Sequence, residues 1–290
     1  MTDKRRRVNE AIKAELERPS DQIATLDPVW SRIRREAAEM AATEPTLASF
    51  LYANVLLHDR LESALSYQLS QRLGTNDVSP MLMRQVFDEA FLADPDIGAA
   101  LRADIVAVYD RDPASRSYVE PLLYFKGFHA LESYRVMHWL WLNGRESMAL
   151  YMQNRISERF AVDIHPAAKI GRGVLIDHGT GVVIGETAVV EDEVSMLHGV
   201  TLGGSGKETG DRHPKVRRGV LLGAGATVLG NIEVGAYSRV GAGAVVLNPV
   251  PERCTVAGVP ARTIGCETCE QPSRTMDHMI RDGEILDYVI

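Results

Sequence analysis

The sequence predicts an α+β chain, in which an all-α N-terminal domain is followed by a β-solenoid of six-residue units. Two observations carry this reading. Up to about Phe160, apolar residues recur at helical spacing, as at Phe50, Val55, Leu57, Leu61 and Leu65. From about residue 162, glycine becomes frequent, aromatics nearly vanish, and aliphatic residues fall on every sixth position. The expected boundaries are 1–160 for the helical domain, 161–264 for the solenoid and 265–290 for a flexible tail.

In the helical half, Asp27-Pro28, Ser79-Pro80, Asp96 and Glu120-Pro121 read as helix starts, each with a capping oxygen or a first-turn proline. Leu122 to Leu142 carries Tyr124, Phe125, Phe128, Tyr134, Trp139 and Trp141. Aromatics at helical spacing read as core or subunit contact rather than as a cofactor box.

The repeat runs through Ile164, Ile170, Ile176, Val182, Ala188, Val194 and Val200, and resumes at Val216, Leu222, Val228, Val234, Val240 and Val246. All but Ala188 are Val, Ile or Leu, so this is an internal repeat. Glycine often follows directly, as at Gly171, Gly223, Gly235 and Gly241, where a tight corner favours residues that tolerate φ > 0. One strand-plus-corner unit cannot bury its aliphatic residue alone. Three units make a triangular coil, and stacked coils bury a column. Val200 and Val216 lie sixteen residues apart, not a multiple of six, so the Gly-rich segment between them must loop out of the coil. Such loops on rigid scaffolds carry binding and catalysis.

Composition narrows the function classes. With 290 residues, 45% of them hydrophobic, the chain can form two cores. A net charge of −7 disfavours nucleic acid as the main partner, because a phosphate backbone needs a basic face. The run Lys4-Arg5-Arg6-Arg7 reads as a solvated first helix, with no apolar h-region after it. No apolar stretch reaches the roughly 18 residues a membrane span needs. Three cysteines make no disulfide framework, and the lone Cys266-x-x-Cys269 lacks the second pair of a structural zinc site. A reducing cytoplasm is the expected location.

Three segments place titratable groups among small residues: Asp163-Ile164-His165-Pro166, Asp177-His178-Gly179-Thr180-Gly181, and Gly210-Asp211-Arg212-His213-Pro214-Lys215. Together with GETAVV, SMLHGVTLGGSGK, GDRHPKVR, GNIEVG and AGVPAR between Asp163 and Arg262, they resemble the serine O-acetyltransferase family. So do LLYFKGFHALESYRVMHWLW and Arg111-Asp112-Pro113 in the helical half. The likeness covers most of residues 100 to 265, whereas the repeat alone indicates only the hexapeptide-repeat acyltransferases. The resemblance implies a left-handed parallel β-helix and transfer of acetyl from acetyl-CoA to L-serine, the first committed step of cysteine biosynthesis.

That reaction needs a group to remove the hydroxyl proton, and His178 suits the task. A base histidine works best with a carboxylate on its other nitrogen. Asp163 is the candidate, fifteen residues earlier. With eighteen residues per coil its neighbour is Gly181, roughly 10 Å along a strand from His178, so spacing leaves the contact open. The resemblance pairs the two as a catalytic dyad. Neither the DHGTG nor the GDRHPK segment holds a cysteine or serine nucleophile for an acyl-enzyme, so direct attack is expected. Arg212 reads as a bidentate clamp for the serine carboxylate. Asp177 and Asp112 could hold its ammonium, although Asp112 before Pro113 also reads as a helix cap. The resemblance gives His213 a part in holding substrate.

Gly203, Gly204, Gly223, Ala224 and Ala242 leave strand backbone uncovered for a pantetheine arm. The resemblance puts CoA there, with Ser205 and Arg239 as further contacts. His178, His198 and His213 together suggest the three-histidine zinc site of γ-class carbonic anhydrases, but the flanking motifs favour an acetyltransferase without metal. The tail ends on Ile285, Leu286, Tyr288, Val289 and Ile290. The resemblance makes Ile290 the residue captured by O-acetylserine sulfhydrylase. It also implies trimers, joined into hexamers through the helical domains, and feedback inhibition by L-cysteine at the serine site. Two other readings stay open: a hexapeptide acetyltransferase for a different small acceptor, and a regulatory scaffold for the sulfhydrylase.

Overall fold

The computed structural model describes residues 27–206, 209–266 and 270–279. The basic run at Lys4 to Arg7, Cys269 and the terminal Ile290 lie outside them.

The helical half comprises α1 (Pro28–Thr43), α2 (Leu61–Leu73), α3 (Pro80–Ala93), α4 (Pro95–Arg111), α5 (Val119–Tyr124), α6 (Lys126–Leu142) and α7 (Glu146–Phe160), with short helical turns over 45–56 between α1 and α2. Asp27 and Ser79 cap α1 and α3 as expected, accepting from the N–H of Trp30 and of Leu82. Helix α4 is capped two residues earlier than read, by Asp94, with Pro95 as its first residue. Val55, Leu61 and Leu65 are fully buried, but Leu57 is exposed, since a π-helical turn over Tyr52–Leu56 ends the helical phase there. No helix among the described residues is long and apolar enough to cross a membrane.

The solenoid has three faces. The first stacks β1 (Val162–Ile164), β4 (Val182–Ile184), β7 (Thr201–Gly203), β10 (Thr227–Leu229) and β13 (Val245–Val246). The second stacks β2 (Lys169–Ile170), β5 (Val189–Val190), β8 (Lys215–Val216) and β11 (Glu233–Val234). The third stacks β3 (Leu175–Ile176), β6 (Ser195–Met196), β9 (Leu221–Leu222), β12 (Arg239–Val240), β14 (Cys254–Ala257) and β15 (Arg262–Cys266). All pairs are parallel except β14–β15.

The register revises the phase read from the sequence. Ile164 lies over Ile184, a step of twenty residues, while Ile184 lies over Leu202, a step of eighteen. Two extra residues therefore enter the first coil at the Asp177–Gly181 corner. Each unit buries two positions two residues apart, such as Val182 with Ile184 and Val200 with Leu202. A slip of two lands on the other buried position, which is why an unbroken period of six passed over the insert. Asp163 accordingly lies beside Val183, not Gly181. The later break is a step of twenty-six, from Val190 to Val216.

Outward residues of the third face, Leu175, Ser195, Leu221, Arg239 and Thr255, form one buried column. The helical half and residues 270–279 cover it. Asp104 on α4 ties the halves together: its carboxylate accepts from the Val174 N–H at 2.8 Å and from Arg135 on α6 at 2.5 Å. Arg135 in turn donates to the Gly171 carbonyl at 2.8 Å.

Two expectations about the C-terminal part change. Cys254 and Cys266 form a disulfide, because the antiparallel return of β15 sets them opposite one another. A count of three cysteines gives no hint of that pairing, and the cysteine-based case for a reducing compartment loses its support. The first part of the expected flexible tail is docked. Its helix α8 (Pro272–Thr275) buries Pro272 and Ser273, Ser195 Oγ donates to the Ser273 carbonyl at 2.7 Å, and Arg274 pairs with Glu193 at 3.2 Å.

Candidate active site

The insert at Asp177–Gly181 builds the first part of the site. His178, Gly179 and Gly181 have φ of +58°, +74° and +77°, a region glycine enters freely and histidine only sparingly. The bend turns the imidazole outward: His178 is 71% exposed, with Nε2 3.7 Å from Asp177 Oδ2. The His198 ring lies 5.8 Å away, centroid to centroid. A cavity of about 380 Å³ opens between this corner and the helical half, lined by Asp112, Tyr124, Lys126, Asp177 and His178 among others. Burial raises the Asp177 carboxyl above its usual range, the Asp112 charge adds to that, and His178 opposes it. Asp112 ends α4, where its carboxylate accepts from the Ala114 N–H at 2.8 Å as a cap would, and it also lines the cavity.

A second cluster occupies the corner between the first and second faces. His213 is almost fully buried and rests on Gly185, where a Cβ would lie 2.1 Å from its ring. Its Nδ1 accepts from the Thr187 backbone N–H at 3.2 Å, which leaves the proton of the neutral ring on Nε2. The Thr187 hydroxyl accepts from the N–H groups of Arg212 and His213, at 3.0 and 3.1 Å, and its own proton faces Nδ1 at 2.9 Å. Desolvation lowers the His213 pKa, and the Arg212 charge adds to that, keeping the ring neutral. Arg212 is not a free loop cation: it donates to Glu186 Oε2 at 2.6 Å and to the Gly210 carbonyl at 3.1 Å.

Within one chain the two clusters flank the first face of the solenoid and share no hydrogen bond or ion pair among the described residues. Asp163 belongs to neither contact set. Its Oδ1 accepts from Gln153 on α7 at 2.8 Å, and no hydrogen bond or ion pair joins it to His178 among the described residues. The small residues expected along CoA divide in the same way. Gly223, Ala224 and Ala242 lie on the His178 corner, where Gly181, Gly199, Gly225 and Gly243 stack with positive φ and leave backbone bare. Gly203, Gly204 and Ser205 begin the loop beside Arg212. Arg239 departs from its expected place: it is buried on the third face, bonded to Thr255 Oγ1 at 3.3 Å and to the carbonyls of Asp277 and Met279 at 3.1 Å. The resemblance put it among the CoA contacts, whereas its face of the coil is the covered one. Of the three histidines in the zinc reading, His178 and His198 are neighbours and His213 lies in the other cluster; the described residues contain no group of three or more His, Cys, Asp or Glu placed to hold a metal.

Comparison with known proteins decides the family. Residues 29–133 match the model described as "Serine acetyltransferase, N-terminal", and residues 213–248 match "Bacterial transferase hexapeptide (six repeats)". The serine acetyltransferase of Salmonella typhimurium is 55% identical over 252 residues, covering 87% of this chain and 92% of the relative. The chain belongs to the serine acetyltransferase family. A solved serine acetyltransferase in complex with cysteine superposes with a TM-score of 0.86 at 53% identity, covering 88% of this chain and 99% of the other. The enzyme from Brucella abortus in complex with coenzyme A gives 0.83 at 54%, covering 85% and 99%. An all-α half followed by a parallel β-helix is thus the architecture of the serine acetyltransferases as well as of this chain.

Several residues of the site were not singled out in the sequence. Glu186 and Thr187 sit inside the GETAVV motif, and Lys126 inside LLYFKGF. Their partners come from other coils, and no local pattern announces them.

Proposed function

We propose that this protein transfers the acetyl group of acetyl-CoA to the hydroxyl of L-serine, giving O-acetyl-L-serine and CoA. Membership of the serine acetyltransferase family supports the reaction, and the cavity holding His178, Asp177 and Asp112 is the observation that carries the chemistry. A histidine turned out of the scaffold beside two carboxylates suits a substrate with an ammonium and a hydroxyl. His178 takes the hydroxyl proton as serine oxygen attacks the thioester carbonyl carbon. The tetrahedral intermediate collapses, the C–S bond breaks, and the imidazolium returns its proton to the departing thiolate. No acyl-enzyme forms.

Asp112 and Asp177 hold the ammonium, Arg212 and His213 the carboxylate, and Asp163 orients the base. Asp112, Asp177 and His178 lie on one corner of the chain and Arg212 and His213 on another, so the working site is formed between copies of a homo-oligomer, one giving the His178 corner and its neighbour the Arg212 loop. CoA lies along the bare glycine corner, by Gly223, Ala224 and Ala242, and meets Gly203, Gly204 and Ser205 of the loop. A relative solved with cysteine supports L-cysteine as a feedback inhibitor, since it shares the ammonium and carboxylate of serine. Ile290 engages O-acetylserine sulfhydrylase. The test is serine-dependent release of CoA, followed by mixing inactive His178→Ala with inactive Arg212→Ala protein. Partial recovery of activity on mixing supports a shared site, and none after subunit exchange argues that each chain works alone.

A further inference from the structure

The base-bearing corner has a second fastening that the reaction scheme above does not use. Lys126 opens α6 and, among the described residues, is the lone lysine or arginine lining the cavity of Asp112, Asp177 and His178. It makes no ion pair with either carboxylate among the described residues. Its Nζ donates instead to the hydroxyl of Thr180, within the two-residue insert. The adjoining residue is pressed against the same insert: a Cβ on Gly127 would lie 2.1 Å from the Ile176 carbonyl oxygen, and one on Gly179 would lie 3.0 Å from Gly127 Cα. The first turn of α6 therefore meets the corner both before and after His178, with Lys126 reaching over its outer side.

A histidine at φ +58° keeps that conformation only if its surroundings over-determine it. Gly127 restrains the inner side of the bend by contact, and the Lys126–Thr180 hydrogen bond closes the outer side. We infer that Lys126 is a positioning residue for the general base: through Thr180 it holds the Asp177–Gly181 insert, and so the His178 imidazole, in place for the serine hydroxyl. The inference rests on the acetyl-transfer reading of the site. A hydrogen bond to a neutral hydroxyl at a solvent-facing corner adds little to global stability, whereas a displacement of about 1 Å at a reacting group costs about a hundredfold in rate. The tie matters for geometry far more than for folding.

The experiment compares the parent with Lys126→Met, Lys126→Arg, Thr180→Val and the Lys126→Met/Thr180→Val double variant. Serine-dependent CoA release is read as separate kcat and KM, and the His178 ring-carbon NMR signal, assigned with His178→Ala, is read without turnover. Lys126→Met should lower kcat about tenfold or more with serine KM little changed, Lys126→Arg should restore most of it, and Thr180→Val should share the loss. The double variant should be no worse than Lys126→Met, because both remove one interaction. The ring signal should move in Lys126→Met and return in Lys126→Arg. An active parent whose Lys126→Met variant keeps its kcat, or losses that multiply in the double variant, would overturn the role of Lys126 and leave the acetyl-transfer reading standing. A parent with no serine-dependent CoA release would remove that reading instead, and an unmoved His178 signal would then refute the positioning role independently.

Discussion

Gln153 Nε2 donates to Asp163 Oδ1 at 2.8 Å, so the carboxylate assigned to orient the base is held by the last helix before the solenoid. Asp177, by contrast, stands 3.7 Å from His178 Nε2 in the same chain. The two carboxylates should separate kinetically. Asp163→Asn should lower kcat about a hundredfold or more, as loss of an orienting carboxylate does, with serine KM little changed. Asp177→Asn should act mainly on serine KM. If Asp177→Asn gives the larger fall in kcat, then Asp177 is the orienting group and Asp163 has a structural role.

His213 lies on Gly185, with no room for a side chain between them. Gly185→Ala must push the ring off Thr187 and break the hydrogen bond that fixes its tautomer. We expect kcat/KM for serine to fall about tenfold or more while the thermal transition moves by only a few degrees. Unchanged kcat/KM would mean that His213 does not hold substrate.

His129 is fully buried on α6, its Nε2 lying 2.7 Å from the Leu122 carbonyl. Desolvation, helped by the Arg72 charge, lowers its pKa to about 3. The unfolded chain takes up this proton near pH 6.5 while the folded chain refuses it. The stabilisation is whole above pH 6.5 and is lost as pH falls from there towards 3, at up to about 1.4 kcal/mol per pH unit. His129→Phe should flatten the stability profile measured by denaturant between pH 6.5 and 4. An equally steep profile in the variant would show that other groups cause the acid sensitivity.

The disulfide between Cys254 and Cys266 closes a short loop, a separation of 12 residues, at the end of the solenoid. Mass analysis of a non-reducing digest should recover the two cysteines in one linked peptide. Cys254→Ser should cost about 2–3 kcal/mol of stability. Two free thiols in protein kept under air would contradict the assignment.

The scaffold was legible because solenoid stacking demands an aliphatic residue at fixed intervals, and no helix or hairpin produces that period. The insert at His178 was not, since slipping by two residues moves from one buried position to the other and leaves the aliphatic pattern intact. Caps at Asp27 and Ser79 were readable because a cap is a local bargain between a side chain and the next turn. The surroundings of Arg239 were illegible for the opposite reason. Its environment is set by residues 270–279, which return across the third face from nearly forty positions later. The pairing of Thr187 with His213 and of Gln153 with Asp163 likewise depends on which coils and helices meet. The roles of His178 and Arg212 were suggested by residue chemistry and that of Asp112 by the resemblance, whereas their division between two corners required the register.

The most direct test of the account is CoA release by the purified protein with acetyl-CoA, with and without L-serine, in the parent and in His178→Ala. Release that depends on serine and falls about 10²–10⁴-fold in a folded His178→Ala protein is the expected result. Near-normal turnover in that variant, or release indifferent to serine, would contradict it.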